Sequence, residues 1–336
     1  MKRRVLRSFG DPRRSVALQE FDAGVPAGDQ VLVRMEAAVL NHSDFLLIQG
    51  RHALRPELPS ALGAEGLGRV IAVGAGVDQH LVGRRVIVLP TYEQGTWAEE
   101  IITARRNLVV VDDDADSLQL AMLPINPPTA ELLLRRYVDL KAGDWIGQTA
   151  ANSAVGRYVI ALARQRGLKT LNVVRRQTAA DMVHSAGGDA VVLAGEDLPD
   201  QIDNALGGER LALVIDPLGD SSLSALSHAL RFGGVAVSYA DLTGEPPLVS
   251  VADLIFNEVT LTGFWLTNWL RTAPSDEIAS TYATLAAMVS DGRLRVPVEA
   301  TYCLDDYTAA FDHALADSRE GKILFTATTG MDEVPP

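Results

Sequence analysis

A turn of small residues followed by two arginines carries the most directly legible chemistry in the chain. Within Asp144–Arg176 lies AANSAVG (Ala150–Gly156), a degenerate G-x-G-x-x-G fingerprint with Ala151, Ser153 and Gly156 at its three glycine positions. Small side chains in such a turn let backbone N–H groups approach a pyrophosphate at the positive end of the following helix. Asn152, Ser153, Ala154, Val155 and Gly156 are therefore candidate phosphate-holding residues; the alternative is an ordinary tight strand-to-helix turn. An NAD-binding unit places Asp or Glu about 20 residues beyond the first glycine position, to accept hydrogen bonds from ribose hydroxyls. Here Arg175 and Arg176 follow the apolar run Leu171–Val174. A carboxylate repels a 2′-phosphate, whereas a guanidinium grips it through parallel charge-assisted hydrogen bonds. The expected cofactor is NADPH; solvated arginines closing a strand are the alternative.

These residues need rigid elements beneath them. Asp144–Arg176 reads as strand, turn, helix and strand, and the alternation continues to about Phe264 through LALVIDPLG (Leu211–Gly219), SSLSALSHALRFGG and VAVSYADL (Val235–Leu242). That rhythm predicts a doubly wound parallel sheet. The first hundred or so residues lack helical periodicity and read as short strands, including VLVRMEAAVL (Val31–Leu40) and GRRVIVLP (Gly83–Pro90). A helix is expected from INPPTAELLLRRYVDL, with Asn126 as its cap and Pro127 in the first helical position. Beyond the nucleotide unit come a strand in EVTLTGFWL, helices in PSDEIASTYATLAAMVSDG and DDYTAAFDHALADS, and a closing strand in GKILFTA. This last segment is expected to return to the β-rich domain.

With 336 residues, 47% hydrophobic and 22% charged, the chain is long enough for two compact units. No apolar run reaches the roughly 18 residues of a membrane span, and MKRRVLRSFG lacks the apolar core of a signal peptide. A cytoplasmic location is expected. The net charge of −13 argues against a general nucleic-acid or anionic-membrane surface, while leaving room for local phosphate recognition. Cys303 is the single cysteine, so an internal disulfide and a Cys-x-x-Cys zinc site are both excluded. The tail GMDEVPP is too polar and proline-rich to pack firmly.

Over nearly its whole length the chain resembles the medium-chain dehydrogenase/reductase superfamily, especially its zinc-free enoyl-thioester reductase and quinone oxidoreductase branches. The resemblance is carried by LNHSDFLLIQG (Leu40–Gly50), LPSALGAEGLGRV (Leu58–Val70), GTWAEEII (Gly95–Ile102), LPINPPTAELLL (Leu123–Leu134), AANSAVG, NVVRR and LTGFWLTNWL (Leu261–Leu270). It implies an α/β fold: a β-rich GroES-like catalytic domain over residues 1–122 and 270–336, plus a doubly wound Rossmann dinucleotide-binding domain over 123–269. Positions that match zinc ligands in metal-dependent relatives are Asn41, Ala64 and Asn126. Alanine offers no lone pair and an asparagine amide is a poor zinc ligand, so no catalytic metal is expected. Glu65 then reads as a hydrogen-bonding structural carboxylate rather than a catalytic one.

Without a Lewis acid, reduction of an activated C=C bond is more plausible than alcohol oxidation: donors hold the oxygen of the developing enolate and a proton reaches the α carbon. In the reductase branch a tyrosine after IQG is assigned the proton-donor or substrate-orienting role; here His52 stands in its place, between Arg51 and Arg55. His52 reads either as a replacement donor, its ordinary pKa of about 6.5 favouring donation over a phenol's 10, or as a loop histidine. Tyr92 is a backup donor, and Asn41 is a candidate for orienting substrate or a catalytic side chain. The resemblance places Asn126 and Thr129 near the nicotinamide, Tyr239 near the adenosine ribose or its phosphate, and Phe264 and Trp265 beside the nicotinamide pocket. It also implies a homodimer formed by pairing of the edge strand in VTLTGFWL. The leading expectation is NADPH-dependent reduction of an enone or 2-enoyl thioester. Quinone reduction, and a catalytically idle NADPH-binding regulator or scaffold, are the alternatives.

Overall fold

A computed structural model of the chain describes residues 1–316 and 319–327. The chain divides into two compact units: Asn126–Thr272, and Met1–Ile125 with the described part of Ala273–Pro336. The tail GMDEVPP lies outside the described residues, as do 317 and 318 at the end of the last expected helix. Among the described residues no helix is long and apolar enough to cross a membrane.

Asn126–Thr272 contains a six-stranded parallel sheet. From one edge to the other its strands are Ala190–Leu193, Lys169–Val174, Trp145–Gln148, Leu211–Asp216, Leu230–Ser238 and Thr260–Gly263. In chain order this is 3-2-1-4-5-6, so the direction of winding reverses between Trp145–Gln148 and Leu211–Asp216. The central strands are apolar on both faces because helices cover both, and all six residues of LALVID are buried. The helix Ala154–Gln165 buries Val155, Tyr158, Val159, Leu162 and Ala163 along one stripe. Its entry is fixed by Ser153, whose hydroxyl accepts the Gly156 N–H at 3.1 Å.

One sequence expectation changes here. Asn126 is the first residue of the helix Asn126–Arg136 rather than its cap. Its side-chain Nδ2 is buried without a hydrogen-bond partner among the described residues.

The other unit is built on two sheets. Val16–Glu20, Lys2–Leu6 and Ser60–Ala61 form a small antiparallel sheet. In the larger one Gln30–Val39 is central, pairing with Lys322–Thr326, Gly66–Val73 and Glu100–Ala104. GKILFTA therefore does return to the β-rich unit and joins its main sheet. Its core gathers Phe45, Trp97, Phe311 and Phe325, with Phe45 and Phe311 edge to face at 5.3 Å. The Trp97 indole donates to the Val39 carbonyl at 3.0 Å, tying that aromatic cluster to the central strand.

Candidate functional site

The nucleotide turn is shaped by close backbone approach. Ala150 adopts φ +47°, and a Cβ added to Gly156 would lie 2.4 Å from the Ala151 carbonyl oxygen. Only glycine fits there, which explains why the third fingerprint position keeps it while the first two do not. Ala151 is buried, Asn152 and Ser153 are half-buried, and the first-turn amides of the 12-residue helix Ala154–Gln165 point out of its N-terminus. Tyr239 hydrogen-bonds to the Ser153 side chain, and its phenol pKa is raised, chiefly by burial, so it stays protonated.

Beneath the turn, Thr149 donates through its hydroxyl to Asp216 at the end of its strand. The same carboxylate accepts the N–H groups of Leu218 and Gly219 at 3.1 and 2.7 Å. Asp216 thus fixes the loop at the point where the sheet's winding reverses. Sequence reading passed over it, although a carboxylate ending the apolar run LALVID was a visible signal. Arg175 and Arg176 are both exposed, just beyond the strand Lys169–Val174 and before the helix Gln177–Ser185. Phe264 is buried and Trp265 is 37% exposed, with the Arg271 guanidinium 5.5 Å from its ring centroid. Thr129 is buried within its helix.

In the other unit, the candidates His52, Tyr92 and Asn41 form one cluster with four side chains that sequence reading had not assembled around them: Ser43, Asp44, Glu65 and Lys322. His52 follows the helix His42–Ile48, its N–H bonded to the Leu46 carbonyl at 3.1 Å. The Leu54 N–H donates to His52 Nδ1 at 3.1 Å, so the ring proton of the neutral imidazole sits on Nε2. Burial lowers the pKa of His52, which keeps it neutral at pH 7. This weakens the expectation that an imidazolium supplies a proton, and favours a neutral N–H as hydrogen-bond donor. Its ring lies 5.3 Å from that of Tyr92, tilted by 39°. Tyr92 has φ +60° and a side-chain hydrogen bond with Ser43. Burial, and then the Asp44 carboxylate, raise its pKa, so it too remains a neutral donor.

Behind this pair lies Asn41, which precedes the helix carrying Ser43. Its N–H donates to Asp44 at 2.8 Å and its side-chain Nδ2 to Glu65 at 2.6 Å. The other Glu65 oxygen accepts the Ile125 N–H at 2.8 Å, and Lys322 Nζ donates to Asn41 Oδ1 at 2.5 Å. Glu65 is fully buried; burial raises its pKa and that of Asp44, the latter to about 7, and lowers that of Lys322, while their opposite charges offset part of each shift. Lys322 was invisible to sequence reading because a lysine opening a strand is ordinarily a solvated end.

These donors do not fit a zinc ion. Ala64 has no ligating atom, the Asn41 amide is committed between Lys322 and Glu65, and the Lys322 ammonium opposes a second cation. Among the described residues no three His, Cys, Asp or Glu side chains are arranged to hold a metal.

Two family profiles match the chain: an alcohol dehydrogenase GroES-like domain over residues 27–113, and a zinc-binding dehydrogenase over residues 154–286. The mitochondrial enoyl-[acyl-carrier-protein] reductase of Bos taurus is 34% identical over 308 residues, covering 90% of this chain and 82% of its own. A quinone oxidoreductase structure from Pseudomonas syringae pv. Tomato DC3000 is similar at 26% identity and a TM-score of 0.87, covering 97% of this chain and 99% of the other. A mutant enoyl thioester reductase from Candida tropicalis shares the fold at 23% identity and a TM-score of 0.84, over 97% and 99% of the two chains. With a nucleotide sheet wound 3-2-1-4-5-6, a GroES-like companion unit and a relative of this identity along most of its length, the chain belongs to the medium-chain dehydrogenase/reductase superfamily, among its enoyl reductases and quinone oxidoreductases.

Proposed function

We propose that the protein is an NADPH-dependent reductase of the C=C bond in an α,β-unsaturated carbonyl compound, with 2-enoyl thioesters as its leading substrate class. The observation that carries this reading is the pair of neutral hydrogen-bond donors, His52 and Tyr92, with ring centroids 5.3 Å apart, beside positions Asn41 and Ala64 that offer a Lewis acid no ligand set. The name of the Bos taurus relative supports the same substrate class.

The residues of Asn126–Thr272 fit the cofactor. The Gly156 cradle and the helix behind it suit a pyrophosphate, and Arg175 and Arg176 suit a 2′-phosphate. The orphaned Asn126 Nδ2 suits an acceptor on the nicotinamide side. When bound, the nicotinamide supplies hydride to the β carbon. His52 Nε2–H and the Tyr92 hydroxyl hold the carbonyl oxygen as it gains enolate character, and neither proton is lost at neutral pH. The α carbon then takes its proton from water.

Purified protein mixed with NADPH should oxidise it in the presence of 2-enoyl thioesters, followed by the loss of reduced-nicotinamide absorbance. Turnover of quinones alone would sink the thioester assignment in favour of quinone reduction, the reading favoured by the Pseudomonas syringae likeness. NADPH binding without turnover of thioesters, enones or quinones would make the protein a regulator or scaffold.

The nucleotide unit also supports a homodimer. Thr260–Gly263 is an edge strand, and close by in sequence Val251, Ile255 and Phe256 are 67%, 62% and 75% exposed. An open edge preceded in sequence by exposed apolar side chains is covered most simply by a second copy. Light scattering should give a dimer mass for the native chain and a monomer mass for Ile255→Glu combined with Phe256→Glu. A monomeric native chain at micromolar concentration would remove this assembly.

A further inference from the structure

Glu65, Asn41 and Lys322 are joined by hydrogen bonds whose direction can be deduced from chemistry. A lysine ammonium has only donors, so it must face the Asn41 oxygen, leaving the amide nitrogen toward Glu65. A backbone N–H also has no alternative role, so Ile125 must donate to the second Glu65 oxygen. Both ends of the chain of bonds are donors that cannot reverse, and every group between them is fixed in one sense.

We propose that Glu65 is a positioning residue for the reductase site: one carboxylate sets two segments at once, with its polarity fixed by Lys322 through Asn41. The first segment is Asn41–Asp44, whose Ser43 side chain meets the Tyr92 hydroxyl. The second is Pro124–Ile125, which leads directly into Asn126 and is also held by the Tyr282 hydroxyl donating to the Pro124 carbonyl at 2.7 Å. The Leu40 N–H bonds to the Ile323 carbonyl at 3.1 Å, so the backbones carrying Asn41 and Lys322 are themselves tied. The assignment rests on the reductase reading for its catalytic consequence, but the bond directions do not.

The polarity makes an isosteric replacement informative. In Glu65→Gln the new NH₂ must face either the Ile125 N–H or the Asn41 amide nitrogen; turning the Asn41 amide then puts its NH₂ against Lys322. One donor opposes another in every arrangement. Asn41→Asp instead sets two carboxylates against each other. Combining Asn41→Asp with Glu65→Gln restores every pair: Lys322 donates to Asp, the glutamine NH₂ donates to the same Asp, and Ile125 donates to the glutamine oxygen. The net charge of the cluster is unchanged.

The test is this reciprocal swap, assayed with NADPH and a 2-enoyl thioester well below the lowest Tm, with Tm and NADPH affinity of each protein measured in parallel. Each single variant should lose about 10²-fold in kcat, the scale of a misplaced catalytic group, and should melt lower; the double variant should recover at least tenfold in kcat and most of the Tm. Single variants that melt lower yet keep the native kcat would overturn positioning, as would a double variant no better than the worse single in kcat. A native protein that turns over no substrate would defeat the reductase reading instead. In that case, failure of the double variant to recover Tm would still overturn the bond directions, and recovery would support them.

Discussion

Replacing Arg175 and Arg176 together with alanine is expected to weaken NADPH binding by about 10²-fold while changing NADH binding by less than about threefold. A charge-assisted hydrogen bond contributes about 1.5–3 kcal/mol, or roughly 10- to 150-fold. The lower part of that range applies per arginine because both side chains are exposed, and solvent screens what they contribute. The two follow a strand in which Asn172, Val173 and Val174 are buried, so the substitution leaves the packing of the nucleotide sheet untouched. The 2′-phosphate is the only difference between the two cofactors, which makes their ratio the decisive number. Fluorescence titration at low and high salt would measure it, and the loss should shrink as salt rises. Equal weakening of NADPH and NADH would refute the 2′-phosphate contact.

His52→Ala and Tyr92→Phe should each lower kcat by about 10²–10³-fold, the loss typical of removing one donor to a developing oxyanion. Because each group is a donor in its neutral form, neither should add a titration of its own to activity between about pH 7 and 9, where Asp44, with a pKa of about 7, and the Glu65–Lys322 pair are the groups that titrate. The sign for His52 follows from its lowered pKa. Its folded-state pKa lies below the ordinary value of about 6.5, so its contribution to stability is present above that pH and lost as pH falls through the folded value. Protonation would also set Nδ1–H against the Leu54 N–H that it now accepts. His52→Tyr restores a hydroxyl donor and should retain more activity than His52→Ala. Unchanged rates in both His52 variants, with Tyr92→Phe impaired, would leave Tyr92 as the working donor; activity rising steadily as pH falls below 7 would point to imidazolium chemistry instead.

Much of the cofactor half was legible because its features are local. The turn, its capping serine and the two arginines lie within one strand–helix–strand passage, where spacing alone fixes relative position. The same local logic misplaced Asn126. Asparagine before Pro127 resembles a cap, yet the helix begins one residue earlier and Ile125 directs its N–H to Glu65. The acceptor for Ile125 is a carboxylate 60 residues away, which no local spacing reveals.

The substrate half was only partly legible for the converse reason. His52 was singled out by its position after IQG, but its protonation follows from burial and from a bond to Leu54. Asn41 and Glu65 were both noticed, and each was given a separate reading. Lys322, which gives their contact its direction, is 281 residues from Asn41 and carries no local signal.

The sequence by itself determined the periodicities that wind the nucleotide sheet, the glycine required at Gly156, the presence of two arginines directly after the strand Lys169–Val174 and the absence of zinc-ligand side chains at Asn41 and Ala64. Only the tertiary structure decided which side chains meet around Glu65, which nitrogen of His52 carries its proton, and which way each hydrogen bond runs. Periodicity and turn chemistry depend on neighbours along the chain. Burial, desolvation and donor–acceptor polarity depend on neighbours brought together by folding, and those set the states of His52, Tyr92, Asp44, Glu65 and Lys322.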